Sequence, residues 1–553
     1  MKASDIKALW DKHFDYWDHR RKEMERYDNA YKMDFWDDRS ADALMYAMTN
    51  TQLNVQTSDG YGYIEGFIAS LFAKNPAVTL RAGIENKGNP SKAEAVANAF
   101  LLKTRSEIEQ TSRLALIFPM SFIKLVPIMG QKLHYKVCPV SLSPWEVILD
   151  RDAPRWDRQR FIGHRYFMPL TEAKDKFGNK SFQGKQRRDY LDKNRMDPYE
   201  DTDAGSYAEY VEIIEMYDFE NDELTFYCED LDRDNKVLQS GFIPFRDADN
   251  KPVCPIVPLY FNRQPAKPMD GYSAMRRVYD QLFEINVIRS FQANAVRKAS
   301  RQYLVKSGLL DEEQMAQLTS GIDGLFIEVD EENLEGVMRA VPQNPTPPEL
   351  ERYYAQVQED KNKGSLMAPF TRGESSRVTA TEAVALASYT ASEIGRMARE
   401  RDAMIEQLAD VYLNILATFL EEEPTNLVQI DGKIVSISPE DLRGDFQVFA
   451  SDQASTPLSD VAAKNQLLMN IPTLVNLGVP ALTVLKEVVR VLNLPEEFVL
   501  QADQNIKAQQ EAQAQAQQQK VPGGVQGIEL PPSPEEAIQN ASTKAVRNFI
   551  PEE

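Results

Sequence analysis

The sequence predicts an α+β chain of several packed regions, and three observations carry that prediction. Helical periodicity runs over long stretches at residues 4–33, 272–300 and 380–419. Short β-type runs crowd together between about residues 122 and 261. The length of 553 residues exceeds one ordinary core and suggests roughly three or four packed regions.

From the N-terminus, Ile6, Leu9, Trp10, His13, Trp17, Met24 and Tyr27 recur at helical spacing, with Ser4 and Asp5 expected to cap the start. A second helix is expected over 61–73, stopped by Asn75 and Pro76, and a third over about 91–115. The apolar run "LALIFPMSFIKLVPIM" at 114–129 is too short for a membrane span and contains Pro119, Lys124 and Pro127, so it reads as buried structure. Strands are expected in "HYKVCPV", "WEVILD", "RFIGHRYFM", "YVEIIEMYDF", "LTFYCED" and "VCPIVPLYF". Residues 171–206 are polar and read as a surface excursion, partly helical.

Val278, Leu282, Ile285, Ile288, Ala295 and Ala299 then mark a helix over 272–300, about 40 Å long. Short strands follow in "RQYLVKS", "GLFIEVD" and "GVMRAVP", making a small module that ends at "QNPTPP". A charged helix at 350–363 leads into "MAPFTRGESSRVTATEAV", which is polar and almost free of apolar residues. Beyond it a helix of about 40 residues, roughly 60 Å long, contains Gly395 as a candidate kink. "LVQIDGKIVSIS" reads as a hairpin turning at Asp431-Gly432, and helical segments, including an Ala/Gln-rich one near 501–520, precede a linker and a weak final helix.

Composition narrows the function classes. A hydrophobic fraction of 42% and a charged fraction of 27% are those of a chain that can bury a core. The net charge of −21 repels phosphates and argues against adhesion to nucleic acid over the whole exterior. Cys138, Cys228 and Cys254 are far apart, with no CxxC, so neither a disulfide framework nor a zinc site is expected and a reducing cytoplasm fits. The charged N-terminal stretch has no signal-peptide pattern and reads as mature.

Motifs for chemistry fail on spacing. Gly60, Gly62 and Gly66 in "DGYGYIEG" miss the dinucleotide fingerprint by one residue, and "GNKS" at Gly178 lacks the rest of a P-loop. "DLDRDNKVLQSG" has Asn235 where a calcium loop needs glycine and Gly241 where it needs glutamate, so a solvated hairpin turn is expected. His13, His19, His134 and His164 are scattered, and no Gly-x-Ser-x-Gly elbow exists. No cofactor, metal site or catalytic residue is expected, and the chain reads as a non-enzyme.

What remains is the order of elements: a mixed body, a helix, a small strand module, a second helix, a polar loop, and a very long helix opening on "TATEA". In that order, over about residues 4–519, the chain resembles the bacteriophage portal protein family, the head-to-tail connectors. The resemblance implies a strand-rich wing over 1–269, a stem helix at 270–300, a small α/β clip at 301–346 and a second stem helix at 347–364. It further implies a tunnel loop at 365–378, a long kinked helix of the wing at 379–423, a strand-containing return to the wing at 424–456, a helical crown at 457–519 and a C-terminal tail at 520–553.

The polar loop then has a use, because a segment facing a water-filled bore needs no apolar anchor, while Pro369 and Gly373 let it turn between helices. Lys361, Lys363, Arg372 and Arg377 are the candidate phosphate contacts, since flexible cations touch a backbone without reading sequence. Thr379 and Glu382 have the spacing of a capping box, which is compatible with that role. Arg301, Tyr303 and Glu328 fall in the clip, the implied docking region.

The resemblance also implies partners and place: a homo-oligomeric ring, twelve-fold, at one capsid vertex of a virion, assembled in the host cytoplasm. Double-stranded DNA would pass through it during genome packaging and ejection. The terminase large subunit, then an adaptor or tail protein, would dock at the clip; major capsid and scaffold protein would meet the wing and crown; no membrane insertion is implied. Two other readings stay open. One is a viral enzyme acting on nucleic acid or cell wall through a site in the strand-rich region, and the other is a cytoplasmic coiled-coil adaptor, which a sustained heptad would favour.

Overall fold

The computed structural model describes residues 1–36, 54–83, 88–128, 137–178, 180–185, 209–232, 236–299, 303–305, 312, 316, 338–340, 348–365, 380–420, 427–430, 433–450 and 471. The chain divides into two compact units, Met1–Ala454 and Ser455–Glu553. Of the second unit only Ile471, which is helical, is among the described residues, so the expected crown and tail lie outside them.

The first unit is α+β. Helix α1 (Ala3–Lys32) buries Ile6, His13, Trp17, Met24, Tyr27 and Ala30 along one face, the stripe its sequence spacing dictates. Ser4 and Asp5 do not cap it, because the helix starts earlier: Lys2 occupies the N-cap and Asp5 sits in the first turn, where it complements the helix dipole. The helix ends at Met33, whose left-handed φ of 61° directs its N–H to the Asn29 carbonyl. Helix α2 (Asp59–Leu71) crosses α1 so closely that a Cβ on Gly60 would lie 2.5 Å from the Ala30 carbonyl oxygen, which gives one glycine of "DGYGYIEG" a packing reason.

The helix expected over 91–115 is two. After strand β1 (Val78–Ala82) come α3 (Pro90–Lys103) and α4 (Arg105–Ile117), separated at Thr104. The Thr104 hydroxyl donates to the Phe100 carbonyl at 3.0 Å, and its backbone leaves helical geometry at ψ 12°. The apolar run at 114–129 is divided between the end of α4 and strand β2 (Ser121–Pro127), and it is buried from Leu114 to Leu125 while Ile128 is exposed.

Two antiparallel sheets build the body. Strands β3 (Val137–Leu142), β4 (Val147–Leu149) and β5 (Phe161–Pro169) lead into helix α5 (Leu170–Phe177). Strands β6 (Tyr210–Asp218), β7 (Glu223–Tyr227), β8 (Val237–Phe242) and β9 (Ile256–Leu259) follow. Their orders are β3-β2-β9 and β4-β5-β6-β7-β8. At the start of the expected hairpin turn Asp230 is buried and accepts from the Lys185 ammonium at 2.5 Å, while Asp232 and residues 239–241 are exposed and 233–235 lie outside the described residues.

A short ribbon of β10 (Arg263–Gln264) and β11 (Lys267–Gly271) precedes helix α6 (Tyr279–Ala299). This helix begins at Tyr279 and not at 272 as expected. Ser273 and Ala274 are tied to the Leu116 carbonyl at the end of α4, and Met275–Arg277 form a 3-10 turn instead of a continuous helix. Strands β12 (Tyr303–Val305) and β13 (Met338–Ala340) pair antiparallel, followed by α7 (Pro348–Ser365) and α8 (Ala380–Phe419), which is unbroken through Gly395.

From Ile394 α8 buries a stripe that includes Met397, Leu408 and Ala409, and over residues 411–417 it is buried on every side, with Ile415, Leu416 and Ala417 at 0% exposure. Tyr412 stacks on Phe100 of α3 with ring centroids 3.8 Å apart. This part of the long helix finds its packing surface within its own chain. Strands β14 (Leu427–Ile430) and β15 (Lys433–Ser436) pair in the register of a two-residue hairpin, Ile430 opposite Lys433, as the Asp-Gly pair predicts. Helix α9 (Pro439–Leu442) carries a Ser438/Asp441 capping box, and β16 (Phe446–Ala450) returns to pair with β1, Val78 opposite Ala450.

Candidate functional site

Helices α6 and α7 form an antiparallel arm. Gly364 lies beside Arg277 and Tyr353 donates to Glu284, so the far ends of both helices face the β12–β13 pair in chain order. Ile285 and Ile288 of α6 pack on Val357 of α7, flanked by Leu350 and Tyr354. At the base, a Cβ on Gly364 would lie 3.0 Å from the Arg277 carbonyl oxygen, so the glycine permits the close crossing. Helix α7 ends at this base with the buried Ser365, and residues 366–379 lie outside the described residues.

Three contacts tie the arm to the body, and a fourth bond holds the body segment that two of them use. The Lys361 ammonium pairs with Asp59, the first residue of α2, at 2.7 Å. The extended segment 54–57 runs along α6, where Val55 N–H donates to Ser290 Oγ at 2.8 Å and Thr57 N–H donates to Asn286 Oδ1 at 2.9 Å. Trp36 Nε1 donates to the Val55 carbonyl at 3.1 Å. Asn286 and Ser290 are buried one helical turn apart and serve the segment as a neighbouring strand would. On the other side of the loop, Arg396 of α8 donates to the Phe261 carbonyl at 2.5 Å and to Asn262 at 2.9 Å.

The sequence-predicted site residues fall into three groups. Lys361 is held by Asp59 with a side chain 13% exposed, whereas Lys363 is 68% exposed and, among the described residues, pairs with Glu359 on its own helix at 2.8 Å. Arg372, Arg377, Thr379, Arg301 and Glu328 lie outside the described residues. Glu382 is in α8 and Tyr303 in β12, with their side chains outside the described residues.

Sequence reasoning missed a set of buried charges in the body. Lys124 of β2 reaches Glu215 at 2.8 Å and His164 Nδ1 at 3.0 Å on the five-stranded sheet, with Tyr217 donating to the same carboxylate. Arg165 pairs with Glu212 at 2.5 Å, both about 5% exposed. Burial, then the Lys124 charge, holds His164 well below the usual histidine range. His13 Nε2 donates to the Trp145 carbonyl at 3.0 Å; burial, then Arg151, lowers its pKa to about 3. Such groups tie the two sheets to each other through Lys124–Glu215 and tie α1 to Trp145 through His13. Only the mixture of polar residues in otherwise apolar strand runs signals them. Among the described residues, no group of three His, Cys, Asp or Glu is placed to hold a metal ion. No helix there is long and apolar enough to cross a membrane.

No protein-family model matches the chain, and no curated protein matches it. Among solved structures, it aligns with a chain of "Virion of native gene transfer agent (GTA) particle" at 12% identity and a TM-score of 0.37. The alignment covers 80% of this chain and 95% of that one, and a likeness that loose assigns neither fold nor function.

Proposed function

We propose that the chain is the subunit of a portal ring, a channel at a capsid vertex through which double-stranded DNA is packaged and ejected. One observation carries this reading: an antiparallel helical arm, distal strands in chain order between its helices, a polar segment at its base, and then a helix of 40 residues. The arm is the stem, the region of β12 and β13 the clip, and residues 366–379 the loop in the bore. The chain acts without catalysis. Terminase and later an adaptor or tail protein dock at the clip, and capsid and scaffold protein meet the other faces.

Within this reading the cations have different duties. Lys361 is a structural anchor through Asp59, while Lys363, Arg372 and Arg377 are the phosphate contacts, because an exposed pair such as Lys363–Glu359 is screened by solvent and opens readily. A chain of net charge −21 suits a conduit, since sparse cations touch phosphates within a screening length of about 8 Å without holding the polymer. Negative-stain imaging of the purified chain is expected to show twelve-fold rings with a central hole. Persistent monomers under assembly conditions, or a ring reconstruction with Arg372 on its outer rim, would refute the reading.

A further inference from the structure

Helix α6 has two occupied flanks. Ile285 and Ile288 meet Val357 of α7, and Asn286 and Ser290 meet the extended segment 54–57. Between these flanks, on one side, Val287, Phe291 and Ala295 recur every four residues and share a face. Phe291 is 43% exposed, Ala295 is exposed and Val287 is half-buried. On the other side Arg289 and Val296, seven residues apart, share a second face, roughly 150° round the helix from the first. Both are exposed, Val296 at 67%.

A lone exposed apolar side chain needs no partner. Here the apolar positions centre two opposed faces of one helix, and the charges beside them differ in sign. Asp280 and Glu284 continue the Phe291 face toward the body, and the Val296 face carries Arg289. Each face therefore suits the other better than it suits itself.

We propose that these faces are the two halves of a contact between copies of this chain, the Val287, Phe291 and Ala295 face of one copy seated on the Arg289 and Val296 face of the next. Association about a two-fold axis uses one patch on both copies, whereas two different faces on opposite sides of a helix hand the contact on from copy to copy, as a ring requires. The inference rests on the ring reading and names the residues of α6 through which its subunits meet.

The test uses the full chain, with assembly read by mass photometry and the fold of the free subunit by circular dichroism. Phe291→Asp and Val296→Asp alter exposed positions, so each free subunit is expected to unfold at the native midpoint. Each change alone is expected to raise the concentration for half-assembly about tenfold or more, because it places a carboxylate in a contact that excludes water. Phe291→Ala and Val296→Ala repeat the reading without a new charge, with a smaller shift in the same direction. Rings formed by the variants at the native concentration would overturn this inference and leave the ring reading standing. Assembly lost in only one of the two positions would mean a contact that does not use both faces, which also overturns it. A native chain that stays monomeric would overturn both.

Discussion

His13 lies 5% exposed in α1, and burial together with the Arg151 and Arg165 charges keeps its ring neutral down to a pKa of about 3. An unfolded histidine titrates near 6.5. The folded value is the lower one, so the stability His13 confers is complete above pH 6.5 and drains away as pH falls toward 3, at up to about 1.4 kcal/mol per pH unit. His164 acts with the same sign. Replacing His13 with Gln keeps an amide donor for the Trp145 carbonyl and removes the titration. Urea unfolding at pH 7, 6 and 5 is expected to show a shallower acid loss in His13→Gln than in the native chain, by about 2 kcal/mol at pH 5. Parallel pH dependences would place the acid-sensitive group elsewhere.

The elements show which structure the sequence declares and which it conceals. The strap at 54–57 is held to α6 by Asn286 and Ser290, so Asn286→Ala with Ser290→Ala is expected to speed amide hydrogen exchange at Val55 and Thr57 about tenfold or more, leaving the buried β5–β6 amides unchanged. Exchange unaltered at both positions would mean that the strap is held by other groups. No local pattern points to this strap, because its partners lie more than two hundred positions away and one buried Asn reads like any other. The α1 stripe from Ile6 to Tyr27 and the Asp431-Gly432 hairpin were legible because periodicity and turn chemistry act over a few residues. The break at Thr104 was hidden because one hydroxyl bonding back to Phe100 decides it within an otherwise helical run. Strands β1 and β16 were hidden because each is short and acquires a partner only from the other. Lys361 looked like a free cation until Asp59 arrived beside it.

At the scale of the whole molecule, the proposed channel makes salt dependence its sharpest readout. For assembled rings on duplex DNA, neutralising Arg372 and Arg377 to Ala is expected to reduce the slope of log affinity against log salt by about 0.9 for each phosphate that no longer meets a cation. A slope unmoved by both changes would remove these residues from the bore. The pairing of β1 with β16 carries a different consequence, for synthesis. Val78 meets Ala450, so the clasp that closes the N-terminal unit has one half made early in translation and the other made when most of the polypeptide has already left the ribosome. Until then β1 offers an unpaired strand edge, and α3 lacks the Tyr412 ring that covers Phe100. The nascent chain therefore completes its body in a late step governed by contacts distant in sequence, the interval in which a bound chaperone has most to protect.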